Sequence, residues 1–86
     1  MEITKSQLQK LFPNYDEGPA FQAIYSVQTD SREQMPNSLF IPIVGERFNA
    51  HAYIEQAIEN GAVASLWDKR YALPEKVKHK CNVFYV

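Results

Sequence analysis

The sequence predicts an α/β fold: a small three-layer domain whose mixed sheet contains a βαβ unit. Three observations carry that prediction. The run 39–44, LFIPIV, is apolar on both faces, as a strand covered on both sides must be. An amphipathic helical pattern follows it. Gly61 then leads directly into a second apolar run, AVASLW at 62–67. Strand, helix and strand joined this tightly call for two parallel strands and a right-handed crossover. A single chain of 86 residues can bury roughly 60–65% of its unfolded surface, enough for one modest core.

Taken in order, the first element is a short helix. Thr4 and Gln7 have capping-box spacing, and Leu8, Leu11 and Phe12 share one face before Pro13 and Asn14 end it. NYDEGP reads as a loop, with Gly18 and Pro19 as breakers. Residues 21–28 alternate, setting Phe21, Ala23, Tyr25 and Val27 against Gln22, Ile24, Ser26 and Gln28, which predicts one half-buried strand. LFIPIV is the central strand, although Pro42 lacks a ladder donor and marks a sheet edge or bulge. Asn49 caps the next helix; Tyr53, Ile54, Ala57 and Ile58 form its buried stripe, while Glu55, Gln56, Glu59 and Asn60 face water. Gly61 supplies the left-handed residue at its end. A polar connector with a helical turn before Pro74 leads to a last strand, NVFYV.

Composition narrows the function. Apolar residues are 45% and charged residues 22%, ordinary for a globular domain. A net charge of −1 speaks against a general nucleic-acid or membrane-surface ligand. The single cysteine, Cys81, rules out an internal disulfide and fits a reducing, cytoplasmic setting. No apolar run approaches the roughly 20 residues that span a bilayer. No histidine, cysteine and carboxylate stand at metal-ligand spacing, and no phosphate-binding loop of the nucleotide-hydrolysing type occurs.

Two stretches could carry chemistry. VGERFNAH, 44–51, lies where open α/β sheets collect ligands, beyond a strand's carboxyl end and at a helix start. There Arg47 can grip a phosphate in two-pronged fashion, and Phe48 can wall a flat ring. The same residues also suit a plain surface turn with a solvated Glu46–Arg47 pair. TDSR, 29–32, follows the first long strand; its short polar side chains make a local turn and can also read the edge of a base.

Read together, residues 29–67 resemble the N-terminal domain of the Mur ligases, the ATP-dependent amide ligases that build the peptidoglycan stem peptide. The matching motifs are Asp30-Ser31-Arg32, then Pro36 to Phe40, Gly45 to His51, Ala57-Ile58 and Gly61 to Ala64. The G-E-R-F-N-A-H form looks most like the member that adds D-alanyl-D-alanine to UDP-N-acetylmuramoyl-tripeptide. The neighbouring member, which adds the third residue, is similar, and a stand-alone, non-catalytic module of the same fold is the remaining alternative. A self-associating domain with exposed Trp67, Tyr71, Phe84 and Tyr85 is a further one.

The resemblance implies one domain, 1–86, that binds the UDP part of a UDP-N-acetylmuramoyl-peptide and has no catalytic residue or metal of its own. Thr29 and Ser31 would contact the uracil, largely through backbone and hydroxyl groups, and Arg32, in the same UDP-binding turn, would with Asp30 mainly hold that turn. Glu46, Arg47, Phe48 and Asn49 would line the ribose and diphosphate. ATP and Mg would belong to a central domain, which together with a C-terminal domain would lie outside this chain as its partners. The chain departs from the family pattern at Asn37, where glycine is usual, and at Asn49 and Ala52, where aspartates are. Asn37 is expected to adopt the left-handed turn conformation in glycine's place.

Overall fold

The computed structural model describes every residue except Glu46 and Arg47, together with the side chain of Phe48. Its main sheet has five strands: β2 (Tyr15–Asp16), β4 (Ser26–Gln28), β5 (Ser38–Phe40), β8 (Ala62–Trp67) and β9 (Asn82–Tyr85). Their order is β2-β9-β8-β5-β4, with β9, β8, β5 and β4 parallel and β2 antiparallel at one edge. The sheet is therefore mixed. Two antiparallel ribbons accompany it, β1 (Ile3–Thr4) with β3 (Ala23–Ile24) and β6 (Val44–Gly45) with β7 (Phe48–Asn49).

Helices cover the two faces. On one side α1 (Lys5–Leu11) packs Leu8 over Ile24, Leu39, Ala64 and Phe84. On the other, α2 (Ile54–Glu59) joins Phe40, Trp67, Val77 and Val83 through Ile54 and Ala57. Neighbours along a strand point to opposite faces, so Leu39 and Phe84 serve the first core while Phe40 and Val83 serve the second. That is the three-layer arrangement. A register shift opposite Ser38 and Leu39 resets the alternation within β8, which lets both Ala62 and Trp67 reach the α2 side.

Both halves of the capping box form: the Gln7 backbone N–H donates to Thr4 Oγ1 at 3.2 Å, and the Thr4 N–H to Gln7 Oε1 at 2.8 Å. Leu11 was expected on the buried face but is exposed, because the helix stops there and the Phe12 N–H closes back on the Leu8 carbonyl. The single strand expected at 21–28 is broken at Tyr25. The chain leaves the β1–β3 ribbon there and enters the main sheet, so Ile24 and Gln28 are buried and Tyr25 is exposed. The strand expected over 39–44 ends at Phe40, just ahead of donor-less Pro42, and Ile43 and Val44 are exposed.

NYDEGP was expected to be only a loop, yet Tyr15–Asp16 pairs with Phe84 and Val83 of β9. Asn49 caps a 3-10 turn, Ala50–Tyr53, that leads into α2, and Tyr53 is exposed rather than part of the buried stripe. The helical turn expected before Pro74 follows it instead, at Glu75–Val77. Gly61 takes φ 110° as expected, and a side chain there would come within 2.6 Å of the Met35 carbonyl oxygen. Asn37, at φ 52°, adopts the left-handed turn expected of it. Among the described residues, no helix is long and apolar enough to cross a membrane.

Candidate functional site

Parallel strands deliver their carboxyl ends to one rim, where ligands gather in α/β sheets. Three segments meet there: the turn after β4, the chain after β5 and the turn after β8. A cleft of about 340 Å³ opens between the first two. Its polar wall is Thr29, Asp30, Ser31 and Arg32; its other wall is Phe40, Ala50, Tyr53 and Gln56.

The turn is built by its own side chains. Asp30 accepts from the Arg32 backbone N–H at 3.0 Å, from Arg32 Nε at 2.9 Å and from Nη2 at 2.8 Å. These bonds from Arg32 hold the Asp30 carboxyl down at about 2. Arg32 nevertheless stays 80% exposed, so its remaining N–H groups face solvent beside the cleft. Ser31 is buried and stitched to α2: its hydroxyl donates to Gln56 Oε1 at 2.7 Å, and its carbonyl accepts from Asn60 Nδ2 at 2.7 Å. Gln56 and Asn60, four apart on one helical face, were expected to face water; Gln56 is exposed, and both amides in addition bond to Ser31. The signal for that bonding was two amides at i and i+4 next to an apolar stripe, and no local pattern says which turn they meet.

The loop after β5 is anchored differently. Asn49 Oδ1 accepts from the His51 backbone N–H at 3.0 Å and lies 2.7 Å from His51 Nδ1. His51 Nε2 accepts from the Asp68 N–H at 3.3 Å. The ring is therefore neutral, with its proton on Nδ1. It stands edge-on to Trp67 and tilts over Tyr71, both at 4.5 Å between centroids. Burial pushes its pKa below the usual histidine value, against a smaller upward pull from Asp68.

Of the residues singled out in the sequence, Thr29, Ser31 and Arg32 line the cleft together, and Asn49 lies beside it, immediately before Ala50. The Asn49 side-chain oxygen is turned onto His51. Glu46, Arg47 and the Phe48 side chain fall outside the described residues.

A second cleft, about 360 Å³, lies among Asp16, Glu17, Lys78, His79 and Cys81. Cys81 is buried and its thiol is pushed up to about 12, so it is core rather than nucleophile, as expected. Trp67 and Phe84 are also buried, and the exposed aromatic patch that self-association would need does not form around them. Among the described residues, no group of three histidine, cysteine or acidic side chains could hold a metal ion.

Comparison with known proteins agrees with this architecture. The UDP-N-acetylmuramoyl-tripeptide--D-alanyl-D-alanine ligase of Bacillus subtilis is 42% identical over 73 residues, covering 85% of this chain and 15% of that protein. The Treponema pallidum ligase of the same name is 47% identical over 45 residues, 52% of this chain and 10% of its own length. The chain thus spans only a small part of these relatives. The structure of MurF from Acinetobacter baumannii superposes over the whole chain and 18% of its own, with a TM-score of 0.75 and 26% identity. The family described as "Mur ligase family, catalytic domain" matches residues 23–83. This chain belongs to the Mur ligase family.

Proposed function

We propose that this chain recognises the UDP portion of a UDP-N-acetylmuramoyl-peptide for a cytoplasmic ATP-dependent ligase that adds D-alanyl-D-alanine. It contributes binding and orientation, and bond making belongs to chain beyond it, as do ATP and Mg. Anchoring a remote part of a substrate still accelerates a distant step, because it fixes geometry before reaction.

The observation that carries this reading is the cleft at the carboxyl rim, where the Thr29–Arg32 turn faces the exposed ring of Tyr53. A flat base fits between an aromatic wall and a turn rich in hydroxyl, amide and backbone polar groups. Relatives named as D-alanyl-D-alanine ligases support the choice of reaction. A ligase of Syntrophomonas wolfei named for 2,6-diaminopimelate addition is 38% identical over 73% of the chain, which keeps the third-residue reaction as a second reading. Both share the nucleotide.

Calorimetric titration with UDP, ADP and inorganic diphosphate tests the reading. UDP is expected to bind more tightly than the other two. Equal affinity for UDP and ADP would mean that the cleft does not read the base.

A further inference from the structure

The rim carries a third turn, after β8, which the nucleotide reading leaves unused. Asp68-Lys69-Arg70 repeats the bonding of Asp30-Ser31-Arg32. In each, the aspartate Oδ1 accepts from the backbone N–H two residues on, at 3.0 Å for Arg32 and 2.9 Å for Arg70. In each, the same oxygen accepts from that arginine's Nε, at 2.9 and 3.1 Å, while Nη2 donates to Oδ2, at 2.8 and 2.6 Å. Both arginines are exposed, at 80% and 82%. The clamp engages the Nε–Nη2 edge of each guanidinium and fixes its plane, so the remaining N–H groups face solvent without first having to be ordered.

The turn is also fastened to the candidate site. The Asp68 N–H donates to His51 Nε2, and the other ring nitrogen meets Asn49 Oδ1 at the end of the loop after β5. β5 lies between β4 and β8. Adjacent strands are about 4.8 Å apart, so the carboxyl ends of β4 and β8, from which the two clamped turns start, stand roughly 10 Å from each other across it. A nucleoside diphosphate laid along the rim, with its base in the cleft, carries its second phosphate toward β8.

We propose that Arg70 is a ligand-binding residue, taking the phosphate farther from the nucleoside while the Thr29–Arg32 turn holds the base. This rests on the nucleotide reading above and adds to it an end point for the ligand. The carboxylate of Asp68 does not repel that phosphate as a bare anion would, because its oxygens are already occupied by Arg70.

UMP and UDP, titrated calorimetrically into the wild-type chain and into Arg70→Ala and Arg70→Lys, separate the possibilities. The wild type should prefer UDP over UMP. In Arg70→Ala that preference should fall by roughly tenfold, the worth of one charge-assisted hydrogen-bonded contact, with UMP affinity and melting temperature unchanged. Arg70→Lys should retain part of it. An undiminished preference in Arg70→Ala, or none in the wild type, would overturn the role of Arg70 while leaving the cleft intact. Binding of neither nucleotide to the wild type would overturn the nucleotide reading itself, and this one with it.

Discussion

The two rims of the parallel sheet are built from similar polar residues and do opposite things. At the amino rim Asn82 is fully buried and fully used: its side chain accepts from the Gly18 N–H at 2.8 Å and donates to the Pro19 and Val63 carbonyls at 2.7 and 2.9 Å. Backbone closes over that rim. Gly18 lies so near Cys81 that a side chain would come within 2.5 Å of it, and Gly61 lies equally tight against Met35. At the carboxyl rim Ser31 is also buried and bonded, but its neighbours Thr29 and Arg32 are exposed and open onto a cleft. A buried polar group whose bonds are all made within the chain ties segments together. One that orders a turn of exposed groups prepares a surface for something else. Stability and recognition are thus assigned to opposite ends of the same strands.

The sharpest way to break this contrast is Asn82→Ala. Removing one partner from three bonds at a buried site should cost roughly 3 kcal/mol or more, because each abandoned group loses its compensation. Urea unfolding should show the loss, and UDP affinity of the folded fraction should not change. Gly61→Ala comes next, at roughly 2 kcal/mol, from the strained backbone and the approach of the Met35 carbonyl. Ser31→Ala should cost only about 1 kcal/mol, since Gln56 can turn to water, yet it should weaken UDP binding more than either amino-rim change. Nucleotide binding lost equally in Asn82→Ala and Ser31→Ala would erase the division between the rims.

His51 gives the contrast a pH dependence. Its folded pKa lies below the unfolded value, so the unfolded chain takes up the proton first. Stability should therefore be full above about 6.5, the unfolded histidine value, and fall as pH drops toward the folded pKa. Protonation takes place at Nε2, so it removes the acceptor for the Asp68 N–H at the carboxyl rim while the Nδ1–H bond to Asn49 is kept. Melting curves between pH 7.5 and 5.5 should show a slope that His51→Gln reduces. The carboxyls of Asp30 and Asp68, held at about 2, lose their contribution only in much stronger acid, as pH falls through that value. The smallest effect belongs to Arg32→Ala: no measurable change in melting temperature, and weaker UDP binding.

What could be read from the sequence was what short-range chemistry decides. The Thr4–Gln7 box, the left-handed Asn37 and Gly61, and the Asn49 cap depend on residues within a few positions. The βαβ order followed from two apolar runs and one helical stripe. Partner choice at a distance was not legible. Nothing local distinguishes Gln56 and Asn60 reaching Ser31 from the same amides in water. Nothing in the alternation of 21–28 shows that the chain changes sheets at Tyr25, and nothing around Tyr15 shows that two residues pair with a strand nearly seventy positions away. The candidate turn at 29–32 was legible because its clamp is local; the clamp at 68–70 is equally local, but nothing near it in sequence says that the strand order places it on the same rim.

The most direct measurement is an amide-shift map of the isotope-labelled chain during titration with UDP. Recognition at the carboxyl rim predicts saturable shifts at Thr29–Arg32, Asn49–Gln56 and Asp68–Arg70, with Gly18, Gly61 and Asn82 unmoved. Shifts concentrated around Glu17, His79 and Asn82, or no shifts at millimolar UDP, would contradict it.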